Sequence, residues 1–149
     1  MRRTIGVLAV LAATIPFAAC DEKLSTLAGP SPNLGPTFAS VQREIFETTD
    51  QAGRTSCVTC HTNVGRNPAG QMNLLHDLAF DQIVNASSSQ KPGVPRIKPG
   101  DPDGSYMIQK LQGTAGFTGR RMPFNGPPYL TDGQILILRR WIEIGAPRN

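Results

Sequence analysis

The sequence predicts a small all-α domain, and three observations carry that reading. Apolar residues recur at three- and four-residue spacing in several separate stretches, the pattern of one buried helix face. Helix start and stop residues stand at the ends of those stretches. No stretch shows the apolar–polar alternation of a half-buried strand, and there is no internal repeat. The chain has 149 residues, enough for one domain with a modest core. Hydrophobic residues make up 39% and aromatic residues 6%, whereas Gly and Pro number 15 and 13. Such a loop-rich chain suits a fold whose core is completed by a bound apolar group.

Residues 1–19 read as a processing signal. Arg2 and Arg3 supply its positive start, Ile5 to Ala13 its apolar centre, and Phe17-Ala18-Ala19 leads into Cys20. Arg2-Arg3 lacks the followers of a twin-arginine signal, and no stretch reaches the roughly 18–20 apolar residues of a membrane span. Phe17-Ala18-Ala19-Cys20 resembles a bacterial lipobox, which implies that Cys20 is lipidated and becomes the mature N-terminus. The alternative is an ordinary cleavable signal with an incidental cysteine. Residues 20–36, rich in Gly, Pro and Ser, read as a lipidated start and a flexible linker with a reach of roughly 20–25 Å. Asp21 resembles the inner-membrane retention signal of some Gram-negative bacteria, without deciding between inner and outer membrane.

The first helix is expected from Phe38 to Thr48, with Phe38, Val41, Ile45 and Phe46 inward and Gln42, Arg43, Glu44 and Glu47 outward. A loop over 51–56 delivers the chain to Cys57. Asn63 to Gly70 is a tight irregular segment, and Met72, Leu74 and Leu75 follow as core or site lining. A short helix is expected from Asp77 to Asn85, then a polar, mobile loop from Ala86 to Pro95. Asp101 reads as an N-cap with Pro102 at the first helical position, opening a helix to Gln112 that ends at Gly113. Met107, Ile108 and Leu111 face inward there. Thr114 to Pro128 is irregular. The last helix opens at Thr131, which makes a capping box with Gln134, and it stops at Gly145 with Pro147 beyond.

Cys57-Val58-Thr59-Cys60-His61 is the motif around which these elements are arranged. Two thiols at i and i+3 share one face of a helical turn, and an imidazole follows directly. That is the haem-attachment pattern C-x-x-C-H, with Cys57 and Cys60 holding the porphyrin edge and His61 beneath the iron. The cysteine inventory agrees: of 3 cysteines, one goes to lipid and two to haem, leaving no free thiol in an exported chain. Removing residues 1–19 takes away two arginines and no acid, so the formal charge falls from +4 to +2. Haem propionates would bring it near zero, so the charge gives no support for nucleic-acid binding.

From Phe38 to Pro147 the chain resembles a class-I-like c-type cytochrome domain, of the variety abundant in planctomycetes. The resemblance rests on the Val41–Phe46 stretch, Cys57 to His61, Pro99-Gly100-Asp101-Pro102 with Ser105, Arg121-Met122-Pro123, and Leu130-Thr131 into Trp141-Ile142 and Gly145-Ala146-Pro147. It implies a small all-α fold, residues 37–149, wrapped around one covalently bound haem c, with the first and last helices packed together.

The sixth iron ligand is open to Met72, Met107 and Met122. Met107 sits on an inward helix face and Met72 close to the motif, both suited to packing. Met122 lies in a Gly/Pro loop, and Pro123 restricts its alternatives. The Met-Pro match to the family adds to that preference. A thioether opposite His61 raises the potential and suits electron transfer. His76 is the rival, with a helix-capping or surface role as its plainer reading. Arg121 and Trp141 carry N–H donors suited to haem propionates, or else are a surface Arg and a core Trp.

The functional expectation is a membrane-tethered mono-haem cytochrome that passes single electrons between redox partner proteins in the periplasm. No catalytic constellation accompanies the motif, so the chain does not read as an enzyme. The alternatives are a haem-based gas or redox sensor with a displaceable Met122, a Cys57–Cys60 thiol–disulfide couple, and a zinc site completed by His61 and His76.

Overall fold

The computed structural model describes residues 34–49 and 53–149. The processing signal, Cys20 and most of the expected linker lie outside the described residues. Helix α1, Phe38–Val41, continues without a break into a π-helical segment, Gln42–Phe46, in which the Glu47 amide donates to the Gln42 carbonyl at 3.0 Å. Helix α2 is Ala79–Ile83, α3 is Tyr106–Gln112 and α4 is Asp132–Glu143. Short 3₁₀ turns at Cys57–Thr59 and Ala69–Gln71 flank His61. The described residues form helices without a sheet; Val84 with Ile97 and Ser87 with Pro95 make isolated bridges.

The expected stripe of α1 is buried at Phe38, Val41, Ile45 and Phe46. Gln42, expected outward, is also fully buried. It stands four residues after Phe38 and three and four before Ile45 and Phe46, in the middle of the stripe. Its Nε2 donates to the Leu74 carbonyl at 2.8 Å and to Glu47 Oε1 at 2.7 Å, while its buried Oε1 has no hydrogen-bond partner among the described residues. The helix ends at Phe46 rather than Thr48. The chain end closes over its start: the Ala39 amide donates to the Asn149 carbonyl and the Phe38 amide to Asn149 Oδ1. These bonds satisfy amides that a helix start leaves unpaired.

Three further element boundaries differ from expectation. The α2 region first makes a turn, in which both Leu78 and Ala79 amides donate to the Leu75 carbonyl. At its other end Val84 leaves the helix to pair with Ile97. Asp101 and Pro102 do not open α3. Asp101 Oδ1 instead accepts from the Gly104 amide at 2.8 Å and Ser105 Oγ donates to the Asp101 carbonyl, closing a turn before the helix. A side chain at Gly104 would collide with the Asp101 carboxylate. Ser105, in extended backbone, is the true N-cap position, and Gly113 ends the helix in left-handed backbone at φ 73° as expected. The polar loop 86–95 is pinned by the Ser88 amide to the Val94 carbonyl and by the Arg96 amide to the Ala86 carbonyl.

Helix α4 carries the expected capping box between Thr131 and Gln134. Its inner face, Ile135, Leu138, Trp141 and Ile142, is buried. Trp141 meets α1 through Phe38, with ring centroids 5.8 Å apart, and Phe38 meets Phe80 edge-on at 5.0 Å. Leu34, at the end of the expected linker, packs on this core. Among the described residues no helix is long and apolar enough to cross a membrane.

The cap supplies a direct stability test. Thr131→Ala removes a side-chain acceptor for the Gln134 amide and is expected to cost about 1 kcal/mol. Urea titration should show a lower midpoint with an unchanged slope.

Candidate functional site

A cleft of about 790 Å³, counted to its open mouth, lies between the Cys57–His61 turn, α1, α3 and the loop carrying Met122. Its walls are mainly apolar: Ile45, Phe46, Met72, Leu74, Met107 and Leu111. Cys57, His61 and Met122 line the same space.

Local sequence explains how His61 comes to be held there. The turn at Cys57 closes with the Cys60 amide on the Cys57 carbonyl at 3.2 Å and the His61 amide on the same carbonyl at 2.9 Å. Both motif ends therefore belong to one helical turn. His61 Nδ1 lies 2.8 Å from the Ala69 carbonyl, which can only accept, so Nδ1 carries the proton. Nε2 is left as the nitrogen with a free lone pair, the arrangement of a ligating imidazole. Burial pulls the His61 pKa below its ordinary value, against the Ala69 and Met72 backbone and with a smaller push from Arg96 and Arg66. The ring is thus neutral at pH 7, as a metal ligand requires.

The two cysteines differ. Cys57 is partly buried, whereas Cys60 is exposed and does not line the cleft. Burial pushes the Cys57 thiol above its ordinary pKa, outweighing the pull of Arg54. A reactive thiol couple calls for the opposite shift. Arg54, expected in a simple delivering loop, is buried, with its guanidinium on the Ile45 and Thr48 carbonyls at 3.3 and 3.4 Å.

The structure separates the candidate histidine from the candidate methionines. Met72, Met107 and Met122 all line the cleft. Met122 is placed by its amide, which donates to the Lys110 carbonyl at 2.9 Å. His76 is exposed outside the cleft, 3.5 Å from Glu47 Oε1. Among the described residues no group of three or more His, Cys, Asp or Glu is arranged to hold a metal ion. The zinc alternative loses its fourth ligand.

Arg121 and Trp141, weighed as propionate donors or as a surface Arg and a core Trp, both lie outside the cleft lining. Arg121 Nε donates to the Leu111 carbonyl at 2.8 Å and its guanidinium stacks on Tyr129. Trp141 is buried in the core and donates to the Pro147 carbonyl at 2.9 Å. Neither lines the cleft. The polar residues that do line it are Ser88, Ser89, Gln90, Arg96, Tyr106 and Lys110. Tyr106 donates to Gln90 Oε1 and accepts from the Thr118 amide. Buried Lys110 donates to the Thr118 carbonyl at 2.8 Å, and desolvation lowers its pKa. A signal for Lys110 existed: it stands three residues after inward-facing Met107, on the same helix face. Arg96, Ser88 and Gln90 lie in loop segments, where no periodicity marks a face.

Family models, curated proteins and solved structures were each compared with the chain, and none matches it.

Arg96 is the clamp of this cleft, donating to the carbonyls of Gln82, Gly70 and Gln71 at 2.7, 3.2 and 3.0 Å. Arg96→Met is expected to cost about 2 kcal/mol by unfolding calorimetry, from the charged hydrogen bonds lost. Lysine at the position should recover little, since one ammonium cannot span the fork.

Proposed function

We propose that residues 37–149 form a class-I-like c-type cytochrome domain that binds one haem c and carries single electrons outside the cytoplasm. One observation carries the reading: His61, with Nδ1 held by the Ala69 carbonyl, shares an apolar cleft with Cys57 and Met122. The donor set suits the group, since a neutral imidazole and a thioether are the Met/His pair of electron-transfer haems. Haem c would supply a one-electron iron couple, its potential raised by Met against His.

The protein's own contributions follow from its geometry. Cys57 and Cys60 anchor the group from one turn. The Ala69 carbonyl fixes the orientation and tautomer of His61. Ile45, Phe46, Leu74 and Leu111 exclude water from the cleft, which lowers its dielectric and disfavours added charge. Arg96 and Lys110 stand at the cleft as the cations for ionised propionates, in place of Arg121 and Trp141. A lipid at Cys20 would tether the domain to a membrane facing the periplasm and raise its effective concentration near membrane-bound partners.

Three measurements test this. The purified protein is expected to give a pyridine haemochrome spectrum, and Cys57→Ser with Cys60→Ser to abolish covalent haem; a colourless wild-type chain sinks the proposal. Oxidised protein should show the weak near-infrared Fe–S(Met) band, lost in Met122→Ala and kept in His76→Ala. Carbon monoxide should leave the reduced spectrum unchanged, whereas ready binding would favour the gas-sensor reading.

A further inference from the structure

Arg54 stands three residues before Cys57 and is the one buried arginine among the described residues, 1% exposed. A guanidinium is rarely buried unless its donors are taken. Part of the answer is the end of α1, where Nη1 donates to the Ile45 carbonyl and Nη2 to the Thr48 carbonyl. The Ile45 carbonyl belongs to the last turn of the π-helical segment, which has no partner further along the helix. A cation is favoured there. The plain reading of Arg54 is thus a cap on α1.

The same guanidinium reaches the motif. The Cys57 thiol donates to the Ile45 carbonyl at 3.5 Å, so one buried oxygen takes both Arg54 and Cys57. Arg54 also hydrogen-bonds to the Cys57 sulfur. Burial raises the Cys57 pKa, and the guanidinium works against it through its charge and through that bond. Ile45 and Cys57 both line the cleft, whereas Arg54 does not. The cation therefore touches the sulfur from outside the cleft lining.

Attachment changes what this sulfur can do. When the Cys57 S–H adds across a vinyl double bond, sulfur bonds to one carbon and the hydrogen passes to the other. Nothing is oxidised, reduced or released. The product is a thioether, which has no donor and is a weak acceptor. The carbonyl of fully buried Ile45 then loses its bond from Cys57 and keeps the one from Arg54. The thioether sulfur can accept an N–H from the same guanidinium. Arg54 thus suits the attached state better than the free thiol, a match that capping α1 does not require.

We infer that Arg54 is a positioning residue for the Cys57 thioether and, through that sulfur, raises the reduction potential of the bound haem. The inference deepens the haem c reading and rests on it. A donor on the sulfur draws electron density from the ring edge to which the sulfur is bonded. A cation at that edge opposes the extra positive charge of the ferric state. Both effects favour the ferrous form. Arginine fits the task because its planar fork serves two carbonyls and the sulfur together, which a single ammonium cannot do.

The test compares midpoint potentials of the haem-loaded full chain in a neutral detergent. Arg54→Met is expected to lower the potential, and Arg54→Lys to recover part of the loss. Cys57→Ala, which leaves haem on Cys60 alone, supplies the second arm of a double-mutant cycle. In that background Arg54→Met should shift the potential far less, because the sulfur through which Arg54 acts is gone. Where Arg54→Met does not fold, Arg54→Lys carries the same cycle: a fall beside Cys57, and hardly any beside Ala at that position. Equal shifts in both backgrounds overturn the inference. So does an unchanged potential with only a lower urea midpoint, which makes Arg54 a cap on α1 and nothing more. A haemochrome assay on the wild type separates the failures. Covalent haem with a potential indifferent to Arg54 sinks the positioning role alone, whereas absence of covalent haem sinks the haem c reading and this inference with it.

Discussion

The hydrogen bond from His61 Nδ1 to the Ala69 carbonyl is the contact on which the cleft depends. It joins the Cys57–His61 turn to the 68–71 segment and decides which imidazole nitrogen keeps its lone pair. The segment is held in turn by Arg96, whose guanidinium takes the next two carbonyls, Gly70 and Gln71, and reaches Gln82. Ser89 Oγ adds a bond to the Gly70 carbonyl at 2.7 Å. One ring orientation is therefore secured by backbone carbonyls, and those carbonyls by a single side-chain fork. The Leu74 amide donates back to the His61 carbonyl at 2.9 Å, closing the loop between them.

The cleft makes sense of the chain's modest apolar content. A domain this small buries little surface, and here the core stops at the walls of an open apolar space. Ile45, Phe46, Leu74, Met107 and Leu111 each pack on the core and face that space. Apolar surface left to water costs about 25 cal/mol for every Å², so a bound apolar group would stabilise the fold as well as equip it. Arg96 and Lys110 are the two cations among the residues that line the cleft.

How much was legible from sequence differs by element. Helix α4 could be read almost completely, because its caps and its stripe are local signals that tertiary contacts did not override. Helix α3 was misread at its start: Asp101 and Pro102 carry a true capping pattern, but the bonds from Gly104 and Ser105 spend it on a turn. Gln42 was assigned by polarity, although its spacing places it among Phe38, Ile45 and Phe46. Arg121 and Trp141 were matched to propionates through their donors, yet Arg121 Nε and Trp141 Nε1 are each taken by a nearby carbonyl. Donor chemistry can be read from residue type; which acceptor wins is a matter of distance.

By itself the sequence determined the chemistry on offer: two thiols and an imidazole in one turn, three methionines and an all-helical pattern. Only the tertiary structure decided which of these meet. It brought Met122 to the cleft and left His76 outside, beside Glu47. Spacing along a chain reports only what lies within a helical turn or a strand, whereas the partners of a loop residue are chosen by contacts many residues away. The Met122 loop is tied to α3 through Lys110 and to Thr55 through Asn125, links that no local pattern encodes.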